Sequence, residues 1–194
     1  MLIDAGPDLR QQALRHGLRR CDGVFVTHTH TDHIFGIDEL RRFNAVMEGH
    51  PPIPVWAESS SWVHLRRVYE HIFERHRSAN ESFVATLLEH HLEVPGGEGG
   101  GAGRCVELFG VRFTPVRVLH GRLPVVAYRV EAVEGVEGGV GRGDEGGGGG
   151  VLPAAWVTDV SRVPPGSWGA LDGLGTLFVD GLRWRKHTTH LAVG

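Results

Sequence analysis

Three histidines and an aspartate lie close together in residues 24–36, which read V-F-V-T-H-T-H-T-D-H-I-F-G. The four side chains are His28, His30, Asp32 and His33. Imidazole and carboxylate ligands without a thiolate are typical of catalytic sites for Zn, Mn or Fe rather than closed structural ones. The stretch therefore predicts a catalytic metal site.

The elements around this stretch would position its side chains. Residues 23–27 form an apolar run that predicts a buried strand, and residues 34–43 predict a helix. Alternate side chains of extended backbone lie on the same side, so His28 and His30 can share one ion. Asp32 and His33 follow at the turn into the helix, where adjacent side chains diverge enough to serve a neighbouring ion. A polar loop that is rich in histidine by accident is the alternative interpretation.

Two further side chains stand where later predicted strands end. The apolar run 111–119 is followed by His120, and the run 154–158 by Asp159. His120 would supply the third ligand of the first ion, and a carboxylate at Asp159 can bridge two cations through its two oxygens. A turn histidine and a helix-capping aspartate are the respective alternatives.

Other histidines carry a weaker signal. His64 and His71 fall on one face of a helix predicted over residues 59–75, where a solvated surface is favoured over a ligand role. His187 and His190 lie three residues apart, so a helical turn would place them on one face.

The stretch H-T-H-T-D-H resembles the H-x-H-x-D-H signature of the metallo-β-lactamase superfamily. The later segments V-L-H-G-R-L-P-V, W-V-T-D-V-S, F-V-D-G-L-R and H-T-T-H look like its phosphodiesterase branch, which includes ribonuclease Z and the cyclic-phosphate phosphodiesterase of phosphonate breakdown. The resemblance implies an α/β fold of the metallo-β-lactamase type, an αββα sandwich with a two-metal hydrolytic centre along one edge.

The resemblance also implies which residues hold the two ions. The first ion would be held by His28, His30 and His120, the second by Asp32 and His33, with Asp159 as the bridge. Two divalent ions are expected, with zinc first and manganese or iron as alternatives.

Catalytic roles follow from the same resemblance. His190 corresponds to the branch's non-metal histidine, which protonates a leaving group, and His187 would be its orienting neighbour or substitute. Asp32 is counted with the catalytic residues as well as with the ligands. Members of the branch also carry a leading hairpin before L-I-D-A-G and a further strand that ends in the last histidine ligand, so this chain resembles a form truncated at both ends. Direct ligation of the second ion by His190 is therefore the alternative.

The expected activity is hydrolysis of a small phosphodiester by a hydroxide that bridges the two ions. The first alternative is a thioesterase or lactonase that uses the same ions. The second is a truncated, catalytically weak relative that only binds metal or a partner.

Composition limits the remaining options. The chain has 194 residues, which suits one domain, 1–194, with flexible glycine-rich insertions at about 96–103 and 135–150. A net charge of −3 argues against nucleic-acid binding. The sequence contains neither a membrane span of about 18 apolar residues nor a signal pattern, so a cytoplasmic protein is expected, with a homodimer as an option. Cys21 and Cys105 are expected to be buried thiols.

Overall fold

The computed structural model describes residues 1–74, 84–96, 99–133 and 151–192. Two compact units are present, Met1–Leu92 and Glu93–Gly194. Each contains one β-sheet, and helices follow the strands of the first, so the α/β class is confirmed. The second glycine-rich tract, 135–150, lies outside the described residues. Among those that are described, no helix is both long enough and apolar enough to cross a membrane.

The first unit is built on a parallel sheet of four strands in the order β1-β2-β3-β4. Its strands are β1 (Leu2–Ile3), β2 (Val24–Phe25), β3 (Ile53–Glu58) and β4 (Leu87–Leu92). Its helices are α1 (Leu9–His16), α2 (Thr31–Ile34), α3 (Leu40–Val46), α4 (Ser59–Val68) and α5 (Glu70–Phe73), with a 3-10 turn at Ile37–Glu39. Because the strands are parallel, their carboxyl ends meet at one edge of the sheet.

The core of the first unit explains the apolar run before the histidines. Val24, Phe25 and Val26 are all at most 1% exposed, so β2 and the residue after it are covered on both faces. A strand buried in this way reads as a continuous apolar run rather than an alternating one. α1 ends at Gly17, whose left-handed backbone (φ 63°) is the conformation that favours glycine at the end of a helix.

Two predicted helices of this unit are interrupted. The helix expected over 34–43 breaks because Gly36 donates its N–H to the carbonyl of Ala5 (2.7 Å) instead of continuing the helical ladder. The helix expected over 59–75 breaks at Tyr69 (φ −110°, ψ 36°), whose buried hydroxyl donates to the Ile34 carbonyl at 2.6 Å.

The second break changes the placement of two histidines. His64 lies on α4 and His71 on α5, so the prediction that they share one helical face is wrong. The His71 ring instead lies 3.2 Å from the carboxylate of Asp38.

The second unit is a five-stranded sheet in the order β5-β6-β7-β8-β9. Its strands are β5 (Val106–Leu108), β6 (Val111–His120), β7 (Leu123–Ala132), β8 (Ala154–Val157) and β9 (Thr176–Val179), with a 3-10 turn at Pro165–Leu171. The pairs from β5 to β8 are antiparallel, whereas β8 and β9 are parallel. Strands β6, β8 and β9 therefore run in the same direction and end at the same edge.

Residues 99–103 of the first glycine-rich tract are packed into the second unit. The N–H of Gly103 donates to the Pro115 carbonyl (2.7 Å), and that of Gly101 donates to Ser167 Oγ (2.9 Å). A Cβ on Gly103 would lie 2.0 Å from a backbone oxygen, so glycine is required there by close approach. These residues differ in this respect from the flexible insertion expected from their composition.

Candidate metal centre

Asp4 links the carboxyl ends of β1 and β2 through hydrogen bonds. The strands pair in parallel with Ile3 opposite Phe25, which brings Asp4 level with the end of β2. Its two carboxylate oxygens accept from the N–H and from the hydroxyl of Thr27, each at 2.8 Å. Sequence reasoning missed Asp4, although an acidic residue directly after a strand is the same signal that singled out Asp159.

Asp4 determines which ring nitrogen carries the proton in two histidines, directly in His33 and through the Thr27 hydroxyl in His28. His33 Nδ1 lies 2.7 Å from Asp4 Oδ2, and a carboxylate only accepts, so Nδ1 of His33 carries the proton. The Thr27 hydroxyl donates its one proton to Asp4, so its oxygen accepts from His28 Nδ1 at 3.0 Å. Both rings therefore present the lone pair of Nε2, which suits a metal ligand.

His30 and Asp32 complete this N-terminal cluster, which consists of Asp4, His28, His30, Asp32 and His33. His30 Nδ1 lies 3.0 Å from His28 Nε2. Two imidazole nitrogens that share one tetrahedral zinc ion are separated by about 3.3 Å, so the pair fits a common ion. Asp32 Oδ2 lies 3.5 Å from His33 Nε2, and the Asp32 side chain is 70% exposed. The structure thus brings together the four side chains of the H-x-H-x-D-H stretch.

Asp4 is unusual in two respects, the burial of its carboxyl group and its left-handed backbone. Burial raises the pKa of its carboxyl group, and the hydrogen bonds from His33 and Thr27 oppose that rise. Its backbone is left-handed (φ 61°), as is that of Asp159 (φ 48°). Non-glycine residues rarely adopt this conformation, and such strain concentrates at functional sites.

Two glycines allow the turn after β1 to approach the histidine stretch. A Cβ on Gly6 would lie 2.6 Å from the Asp32 carbonyl oxygen, and one on Gly36 would lie 2.1 Å from the Gly6 oxygen. The Ala5 N–H donates to the His33 carbonyl at 2.8 Å. Asp4 can reach His33 because the two turns pack this closely.

The second unit carries its own group of site residues, a C-terminal cluster of His120, Asp159, Asp180 and His190. His120 is the last residue of β6, and its Nδ1 lies 2.6 Å from the Thr189 carbonyl oxygen. A carbonyl only accepts, so His120 also presents its Nε2 lone pair, which lies 3.7 Å from Asp159 Oδ2. Asp159 follows β8, as expected from the sequence.

Asp180 follows β9 and pairs with His190, a contact that the sequence did not reveal. His190 Nδ1 lies 2.9 Å from Asp180 Oδ2 and 4.0 Å from Asp159 Oδ1. The backbone N–H of Val160 donates to the other oxygen of Asp180 at 3.2 Å, which holds the carboxylate in place. Donor atoms of Asp159, Asp180 and His190 all lie within 4.8 Å of one another, so this trio could also hold an ion.

His187 lies at the exposed rim of the C-terminal cluster. Its Nδ1 is 3.0 Å from Thr189 Oγ1, and its ring centroid is 5.7 Å from that of His190. The prediction of a helical turn is wrong, because residues 183–192 contain no helix. The two histidines are brought near each other by an irregular loop.

Comparison with known proteins identifies the family. The family model described as the β-lactamase superfamily domain matches residues 1–194. The chain belongs to the β-lactamase superfamily. The histidine and aspartate donors of the two clusters suit a divalent ion such as zinc.

Two curated proteins are similar to the chain in sequence. The chain is 27% identical over all 194 residues to an octanoyltransferase of Porphyromonas gingivalis (strain ATCC BAA-308 / W83), of which it covers 32%. A segment of 68 residues, 34% of the chain, is 34% identical to a ribonuclease Z of Gemmatimonas aurantiaca, of which it covers 22%. The chain therefore spans only about a third or less of these curated relatives.

A solved structure extends the similarity to nearly the whole chain. The crystal structure of a diphosphatase from the PhnP family matches with a TM-score of 0.74 and 30% identity, over 99% of this chain and 60% of that one. The metallo-β-lactamase fold and the resemblance to the phosphodiesterase branch are thereby confirmed.

Proposed function

We propose that the chain is a metal-dependent phosphodiesterase that acts on a small phosphodiester. The observation that carries this proposal is the orientation of His28, His33 and His120, each of which donates from Nδ1 and so presents Nε2. The proposed ligands of two divalent ions, zinc first with manganese or iron as alternatives, are His28, His30, Asp32, His33, His120 and Asp159. Bound ions of this kind activate water and neutralise negative charge on a phosphate group.

Two of the three relatives described above support a bond to phosphorus as the target, whereas the octanoyltransferase is named for acyl transfer. The similar solved structure is named a diphosphatase, and the shorter sequence match is named a ribonuclease. Both names describe cleavage at a phosphate group. A phosphodiester is therefore favoured as the substrate over the ester of a lactonase or the thioester of a thioesterase.

His190 is proposed as the general acid. Its Nδ1–H donates to Asp180, so a second proton on the ring resides on Nε2, and the carboxylate stabilises the resulting positive charge. Nε2 would deliver that proton to the departing oxygen. His187 is proposed to orient the same region, and the exposed carboxylate of Asp32 is accessible to water as well as to an ion.

Turnover of bis(p-nitrophenyl) phosphate, with zinc or manganese added to the purified protein, tests the activity. We expect turnover to be lost in His30→Ala and retained in the control His64→Ala, whose side chain lies on the surface of α4. A thioester assay run beside it distinguishes the alternative hydrolase. Full phosphodiesterase activity in His30→Ala would overturn the proposed metal centre.

The role of His190 is tested with two leaving groups. p-Nitrophenolate departs without protonation, whereas an alkoxide needs a proton, so His190→Ala should slow cleavage of an alkyl ester by about 10²–10⁴-fold more than cleavage of a p-nitrophenyl ester. Equal losses with both substrates, accompanied by loss of bound metal, would instead show that His190 is a ligand.

A further inference from the structure

The C-terminal segment of the second unit is a closed loop, residues 183–192, which we term the C-terminal loop. Arg183 and Ala192 pair as a parallel β-bridge and close it. The Leu191 N–H donates to the Val160 carbonyl at 2.6 Å, and the Thr189 carbonyl meets His120. One side of the loop is therefore fixed to the strand ends that carry the C-terminal cluster.

The other side of the loop presents a tryptophan to solvent. Trp184 is 81% exposed, the highest value among the exposed large apolar side chains of the described residues. Packing within the second unit therefore does not explain its presence. Its large aromatic ring is therefore accessible to a ligand.

Three cations surround this tryptophan in the sequence R-W-R-K. Arg183, Arg185 and Lys186 are all exposed, and none forms an ion pair with another described residue. The chain as a whole carries a net charge of −3, so this positive charge is a local feature. Cationic side chains next to an exposed tryptophan in the sequence match a ligand that has both negative charge and an aromatic face.

We propose that the tip of the C-terminal loop, Arg183–Lys186, recognises a nucleotide portion of the substrate. Trp184 stacks on the base, and Arg185 and Lys186 attract the phosphate. The inference rests on the proposed phosphodiesterase function and narrows its substrate class to nucleoside phosphodiesters. The tip carries only three cations on a chain whose net charge is −3, which favours a mononucleotide-sized group over a long RNA. His190 lies on the same loop, so base recognition and proton delivery share one element.

Binding of a mononucleotide to the purified protein tests recognition by Arg183–Lys186 without any turnover. Stacking of thymidine 5′-monophosphate on Trp184 should quench tryptophan emission with a saturable curve, whereas ribose 5-phosphate, which lacks the base, should not. The quench should be absent in Trp184→Phe and retained in Trp168→Phe, since Trp168 is 57% exposed on the 3-10 turn of the same unit. An Arg185→Gln, Lys186→Gln double variant should bind more weakly and with less dependence on salt.

Kinetics provide the second measurement. Thymidine 5′-p-nitrophenyl phosphate and methyl p-nitrophenyl phosphate share a leaving group and differ in the base. The ratio of their kcat/KM values should fall about tenfold or more in Trp184→Ala, mainly through KM for the thymidine ester. It should be unchanged in Trp168→Ala.

The outcomes separate the inference from the proposed function. A saturable, Trp184-dependent quench without turnover would support nucleotide binding by the C-terminal loop and would overturn the proposed phosphodiesterase function. Turnover with no quench, or an unchanged ratio in Trp184→Ala, would overturn the loop's role. Trp184-dependent binding of an RNA oligomer or of phosphatidylglycerol vesicles, without binding of the mononucleotide, would also overturn it and assign the tip to a macromolecule or membrane.

Discussion

Asp4→Asn should weaken metal binding without unfolding the first unit. Asparagine can still accept from the Thr27 N–H, but its NH2 group then replaces the oxygen that faces His33 Nδ1. Two donors would meet, so the His33 ring is expected to move its proton to Nε2, the atom that should bind metal.

The expected magnitude follows from the role of such partners. Loss of a group that orients a metal-binding histidine typically lowers metal affinity by 10- to 100-fold, or about 1.4–2.8 kcal/mol. Folding should change little, because a neutral amide avoids the burial penalty that raises the pKa of Asp4. Asp4→Ala differs in that it also leaves the Thr27 N–H without its acceptor, which costs about 1–3 kcal/mol of stability.

Competition with a chelator measures metal affinity, and thermal unfolding of the metal-free protein measures stability. Asp8→Asn is the matched control, because Asp8 is exposed and its carboxylate accepts from Gln12 of α1, away from the histidine rings. Wild-type metal affinity in Asp4→Asn would refute the orienting role. A fall in stability equal to that of Asp4→Ala would show that Asp4 is structural.

Three further predictions test the packing of the fold. Burial raises the pKa of Tyr69 to about 12, so the free energy of unfolding should fall as pH rises from 10 to 12, by up to about 2.7 kcal/mol. Denaturant titrations of Tyr69→Phe between pH 10 and 12 should lack this fall in the free energy of unfolding. Gly36→Ala, which would set a Cβ 2.1 Å from a backbone oxygen, should lower stability by about 1–3 kcal/mol, whereas Gly169→Ala faces open space and should melt like the wild type. A thiol reagent should label exposed Cys105 rapidly and buried Cys21 slowly, and Cys105→Ser should lose the fast phase; two equal rates would contradict this placement.

The cysteines also show where composition misleads. Both thiols were expected to be buried because they are few and scattered, but Cys105 is exposed beside the short edge strand β5, and only Cys21 is buried. Residue type predicts burial on average, whereas the position of a strand within its sheet decides it in a particular case.

Local patterns predicted the strands and the candidate ligands that follow them. The run at β2 is apolar because the strand is covered on both faces. His120 and Asp159 were found by the same rule, a polar side chain at the end of an apolar run.

Contacts between distant residues could not be read in this way. Thr27 and His33 lie 23 and 29 residues from Asp4, and the parallel pairing of β1 with β2 decides that they meet. Asp180 and His190 meet because an irregular loop returns to the end of β9, where periodicity predicted a helical turn.

The sequence by itself determined the six side chains proposed as metal ligands, since ligand chemistry is a property of residue type and of spacing along a strand end. The tertiary structure alone decided which ring nitrogen of each histidine carries the proton. That choice depends on acceptors supplied by other strands and loops: the carboxylate of Asp4 for His33, the hydroxyl of Thr27 for His28, and the Thr189 carbonyl for His120. A hydrogen bond requires its partners to be within about 3 Å, and only folding brings them that close.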